Sequence, residues 1–162
     1  MITFLIEYGD NIKQNVLQYL DDECSFYTGN SIYQADMELI LNKISLTVSN
    51  NYIVDVGGFC GYAEWIKSNI KVPNFKKGLL ILETDLDSGF AYDINEEGWP
   101  VYMNNKTGWV CVGYPDKEGK AVEFINNCVA VVDNKQELVS LWLKPINLLE
   151  IDLKKFKKNN KA

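Results

Sequence analysis

The chain contains no histidine and no arginine, and all 16 of its basic residues are lysine. Without histidine there is no imidazole to act as acid or base near neutral pH, no serine–histidine or cysteine–histidine nucleophile pair, and no two-histidine metal site. Without arginine there is no planar fork to clamp a phosphate or carboxylate, and no arginine finger. Long apolar runs are missing too, since none approaches the ~20 residues that a membrane helix needs. The opening MITFLIEYGDNIKQN has neither the basic start nor the small-residue cleavage site of a secretory leader. The expected compartment is the cytoplasm, with no membrane partner. Cysteines are few and dispersed: Cys24, Cys60, Cys111 and Cys128 form no Cys-x-x-Cys pair, the arrangement that grips zinc or exchanges thiols. Reduced thiols that pack as small hydrophobes are expected.

What is present suits a folded domain. The 162 residues are 47% hydrophobic and 12% aromatic, enough for a proper core. The net charge of −6 argues against DNA or RNA, whose binders need a basic face to release counterions. The charge is uneven. The last twelve residues, IDLKKFKKNNKA, hold five lysines against one acid, so residues 1–150 carry 11 lysines against 21 acids, or −10. One domain is expected over 1–150, with 151–162 a lysine-rich extension that frays. No repeat at 20 to 50 residues divides the chain.

MITFLIE reads as an opening strand. In NIKQNVLQYLDD the apolar residues Ile12, Val16, Leu17 and Leu20 have helical spacing, and Asp10 stands where an N-cap is wanted. Asp36–Val48 satisfies neither period well and is ambiguous between a helix and a bent strand, NYIVDVGGF reads as a strand, and GYAEWIKSN as a short helix stopped near Pro73. From Gly78 onward, apolar or alternating runs at 78–84, 89–94, 99–103, 108–114, 121–132 and 137–143 are separated by short breakers rich in Asn, Asp, Gly and Lys. That is hairpin chemistry, and it predicts an antiparallel meander because parallel crossovers need a dozen or more residues. The expected class is α+β, with one to three helices of the first half packed on a C-terminal sheet.

The stretch DINEEGWPVYMNN opens like a calcium loop, with Asp93, Asn95, Glu97 and Gly98 at positions 1, 3, 5 and 6. Position 12 is then Asn104, where a bidentate Glu is needed, and the flanks read as strands. A tight hairpin turn shaped by Asn95 and Gly98 is the better account, and no metal or other cofactor is expected. Two carboxylates alone can run glycoside hydrolysis, and Glu64, Glu83, Asp85, Asp93, Glu96, Glu97 and Glu123 are all available. So acidic a chain offers such pairs without chemistry, as a solvated face, and no catalytic residue is assigned.

Gly78–Asn105 is unusual in holding Glu83, Asp85, Asp87, Asp93, Glu96 and Glu97 and no lysine. Residues two apart on a strand share a face, so Glu83, Asp85 and Asp87 are expected to form a comb along the first hairpin strand. Clustered like charge is destabilising unless something cationic approaches. Trp99, Tyr102, Trp109 and Tyr114 follow, and such residues are enriched at interface hot spots. The bland account makes these aromatics core and the acids mere solubility.

The sharper account is a docking face for a basic protein, made of the six acids with Trp99, Tyr102 and Trp109. In small size, acidity, aromatic content and lack of catalytic equipment, the chain resembles the bacterial immunity proteins of polymorphic and contact-dependent growth-inhibition systems. That resemblance implies a non-catalytic cytoplasmic inhibitor of a basic toxin domain, such as a nuclease, encoded upstream. A general interaction or phage-encoded structural domain is the main alternative, ahead of a carboxylate-dependent hydrolase.

Overall fold

The computed structural model describes residues 2–10, 15–29 and 34–148. The expected extension 151–162 lies outside these residues. Apart from Leu148 at the edge of the described residues, two single 3-10 turns, Asp21–Glu23 and Tyr62–Glu64, are the only helical segments among them. The expected α+β class is therefore corrected: the protein is nearly all β, built on one curled sheet of 14 strands.

The missing helices have local causes. Of the expected N-terminal helix, residues 11–14 lie outside the described residues. The remainder runs through β2 (Gln18–Leu20) into the first 3-10 turn. Val16 is exposed, Leu17 buried, Gln18 half-buried and Tyr19 buried, which is the period of a strand. In the second expected helix, GYAEWIKSN, a single turn delivers Trp65 to the core at 1% exposure, and β7 (Ile66–Lys67) follows at once.

The ambiguous Asp36–Val48 is a hairpin of β4 (Met37–Leu41) and β5 (Ile44–Ser49). Met37, Leu39, Leu41, Ile44, Leu46 and Val48 are all buried. Their alternation is regular on each side of the turn, and the two turn residues shift its phase. Asn42 and Lys43 both adopt left-handed φ, +51° and +72°, the geometry that two-residue hairpins prefer. Asn50 and Asn51 repeat the device, at φ +51° and +68°, between β5 and β6 (Tyr52–Phe59).

The opening strand is β1 (Ile2–Tyr8), and β3 (Ser25–Tyr27) pairs with β2. The later strands are β8 (Lys76–Thr84), β9 (Ala91–Asp93), β10 (Val101–Met103), β11 (Val110–Gly113), β12 (Lys120–Ile125), β13 (Cys128–Val132) and β14 (Leu138–Leu143). The run 121–132 is thus two strands folded at Asn126–Asn127.

The meander holds only in part. β10 pairs antiparallel with β11, and β12, β13 and β14 follow one another antiparallel. β8 and β9 do not pair. Instead β9 lies parallel to β4, and β12 lies parallel to the start of β8. Loop length limits only strands joined directly by that loop, and these parallel pairs unite strands from distant parts of the chain.

The strand order is β7-β10-β11-β14-β13-β12-β8-β6-β5-β4-β9. β9 ends this order and β10 stands next to its other end, yet only residues 94–100 separate them. Seven residues span at most about 25 Å, so the sheet must curl until its ends approach.

The main core fills the inside of the curl, with Leu39, Leu46, Val112, Ile125 and Leu141 fully buried. Under β11–β14 the opposite face is buried as well, where Cys111, Val129, Val131 and Trp142 form a second cluster. Ile70 and Val72 pack onto that cluster, and the Asn104 side-chain amide donates to the Ile70 carbonyl at 2.9 Å.

Candidate binding cleft

The approach of the sheet's ends leaves a cleft of about 560 Å³ between the β4–β5 turn, the end of β6, the Gly61–Trp65 segment and residues 93–101. Four predicted residues line it: Asp93, Glu96, Glu97 and Trp99. Glu64 enters from a remote part of the sequence, and Phe59 and Lys43 complete the wall.

Asn42 organises this seam. Its side-chain oxygen accepts from the Trp99 backbone N–H at 2.8 Å and from the Asn95 side-chain amide at 2.5 Å. Its side-chain nitrogen donates to the Trp99 carbonyl at 2.7 Å, and its backbone N–H donates to the Asn95 side-chain oxygen at 3.0 Å. The predicted turn residues act as expected, with Gly98 at φ +75° and its N–H donating to the Asn95 carbonyl at 2.7 Å. The turn is nevertheless no hairpin, because it links β9 to a strand near the sheet's other end. Glu96 and Glu97 stand exposed at its crest.

Trp99 is half-buried and tilted against Tyr114, ring centroids 5.8 Å apart. Gly113 makes room for it: at φ +119°, a Cβ there would lie 2.9 Å from the indole and 2.6 Å from the Val139 carbonyl. Phe59 is 49% exposed, and the Lys43 ammonium lies 5.6 Å from its ring centroid. The cleft thus already shows a cation against an aromatic face, an attraction of about 0.5–1 kcal/mol at exposed sites.

The other predicted residues lie elsewhere. The comb does not form, because β8 ends at Thr84 and leaves Asp85 and Asp87 in the following loop. Glu83 alone is on the strand, exposed, with the Thr3 hydroxyl donating to its backbone carbonyl at 3.3 Å. Tyr102 and Trp109 face away from the cleft and pack on the second cluster. Trp109 meets Phe75 edge-on at 6.2 Å. Asn42, Lys43 and Phe59 were not singled out from sequence. An Asn-Lys pair between two apolar runs was the available signal for Asn42, whereas nothing local marks Phe59 as exposed.

All four cysteines are free thiols. Burial pushes the Cys60 thiol up to about 12 and raises Cys111 and Cys128 as well. Only Cys24 is half-buried. Although remote in sequence, Cys24 and Cys60 meet across the β3–β6 ladder, the Cys60 N–H donating to the Cys24 carbonyl at 2.8 Å. Among the described residues, no group of three or more Cys, Asp or Glu is arranged to hold a metal ion, and no helix is long and apolar enough to cross a membrane.

No protein-family model matches the chain, and no curated protein matches it at a significant level.

Proposed function

We propose that the protein is a non-catalytic inhibitor of the immunity type, which neutralises a basic toxin domain by taking it at the acidic, aromatic-walled cleft. One observation carries the reading: Glu64, Asp93, Glu96 and Glu97 converge on a cleft that also presents Phe59 and Trp99. Acids of this kind steer a cationic partner into encounter, while an aromatic side chain anchors the complex once formed. Lys43 over the Phe59 ring is an example within the cleft of the cation–aromatic contact that a partner's lysine or arginine would make with Trp99.

The same convergence keeps a carboxylate-dependent hydrolase as a second reading. Glu64, Glu96 and Glu97 are exposed, whereas a general acid is commonly held in an apolar pocket. Binding therefore comes first.

The test is co-expression with the product of the gene immediately upstream, scored by growth and followed by titration calorimetry of the purified pair. Rescue of growth and a tight one-to-one complex are expected, with affinity weakened by the double change Glu96→Lys and Glu97→Lys. A harmless neighbour that forms no complex, together with turnover of a glycan substrate by the isolated chain, would replace this reading with the hydrolase.

A further inference from the structure

Four strands have a single hydrogen-bonded neighbour among the described residues: β1, β2, β7 and β9. Such edges expose rows of backbone donors and acceptors that template another strand. Two of them are covered in part by the chain itself. The Phe4 N–H of β1 donates to the Gln136 carbonyl at 2.8 Å. On β2, the Asn147 side-chain amide accepts from the Tyr19 N–H at 2.8 Å and donates to the Tyr19 carbonyl at 2.8 Å, imitating a neighbouring strand. β7 is two residues long and carries Lys67.

β9 differs from all three. The Phe90 carbonyl accepts from the Glu38 N–H at 3.2 Å, and the Ile94 N–H donates to the Ile40 carbonyl at 2.9 Å. Even-numbered residues thus bond inward to β4, and alternation along the strand turns the N–H and C=O of Ala91 and Asp93 outward. Both residues are exposed. Phe90, at 62% exposure, stands at the head of the edge, 6.3 Å from the Tyr92 ring. Asp85, Asp87, Asp93, Glu96 and Glu97 surround the edge in sequence, and no lysine occurs from residue 78 to 105.

These charges decide the occupant. A second copy of the chain would bring acids against acids, which destabilises a strand pair. A cationic strand meets the opposite situation. We propose that β9 accepts, by strand addition, an extended lysine- or arginine-bearing segment of the basic protein partner. That segment pairs with the backbone of Ala91 and Asp93 and rests an apolar side chain on Phe90. The proposal rests on the reading of the protein as a binder of a basic partner, and it adds how that partner is held.

The test uses the full-length ¹⁵N-labelled chain and two capped peptides at low ionic strength. The first is Lys-Val-Lys-Val-Lys, and the second is the same sequence N-methylated throughout its backbone, which keeps the charge and removes the donors. The first peptide is expected to slow amide exchange at Ala91 and Asp93 and to bind at least about tenfold more tightly than the second, the scale of one or two net hydrogen bonds. Ala91→Pro, which removes an outward donor and no bond to β4, should weaken the first peptide similarly while the rest of the amide spectrum stays folded. Equal binding of both peptides with exchange at Ala91 and Asp93 unchanged would overturn the edge proposal and leave the acidic cleft standing. If neither peptide binds, the edge proposal falls together with the charge attraction beneath it.

Discussion

The sheet formed by β11–β14 and the seam where the curled sheet's ends approach are made differently. In the first, successive residues of a strand are buried on opposite faces: Val110 and Val112 face the main core, and Cys111 between them faces the second cluster. In the seam, backbone geometry is held by the side chains of Asn42 and Asn95, and the acids stand in water. The contrast separates residues that hold the fold from residues free to bind. Trp142 and Trp99 illustrate it, the first fully buried with its indole N–H donating to the Ser140 hydroxyl at 3.0 Å, the second half-buried at the cleft wall.

Substitution should widen that contrast. Trp142→Ala is expected to cost about 3–5 kcal/mol of stability, read from urea unfolding, because a fully buried indole leaves a cavity between packed strands. Trp99→Ala should cost less stability, yet weaken the partner complex by about 2 kcal/mol or more if it is the anchor, seen as faster dissociation by surface plasmon resonance. Trp109→Ala should lower the unfolding midpoint and leave that dissociation unchanged. A Trp109 effect on dissociation as large as that of Trp99 would erase the distinction.

Asn42→Ala removes the side-chain bonds to Asn95 and Trp99, at a cost of about 1–3 kcal/mol. It should also broaden the amide signals of 95–99, measurable by NMR, with the β11–β14 signals unchanged. Smaller still, Glu96→Lys with Glu97→Lys should slow association by about tenfold at low salt and flatten its salt dependence, since exposed charges act mainly on the on-rate. Thiol chemistry offers the mildest check. At pH 8 the Cys60 thiol, raised to about 12 by burial, stays protonated, and Cys111 and Cys128 are shielded likewise. Iodoacetamide should therefore modify Cys24 first, and the other three only on unfolding, as counted by intact mass.

The same contrast governs what the sequence could disclose. Periodicity was sufficient to find β1, β6 and β14, whereas the run 121–132 hid the turn between β12 and β13. Periodicity left Met37–Val48 undecided, because the Asn42-Lys43 turn shifts the phase, and it misled at Val16–Leu20, where Val16, Leu17 and Leu20 have helical spacing with Ile12 while the buried residues, Leu17 and Tyr19, alternate. The parallel partners of β9 and β12 are long-range and leave no local mark. Acidity located half of the cleft, since Asp93, Glu96, Glu97 and Trp99 are neighbours in sequence. Glu64, Lys43 and Phe59 arrive only through the curl, and the expected comb dissolved because β8 stops one residue before Asp85.

The central claim is that the seam, and not the β11–β14 sheet, receives a basic protein. An amide chemical-shift map of the labelled chain, titrated with the purified product of the upstream gene, tests it most directly. The account predicts shifts concentrated at Asn42 and Lys43, Phe59 to Trp65, and Ala91 to Val101. Shifts centred instead on Ile70, Tyr102 and Trp109, or none at a saturating excess of that protein, would contradict it.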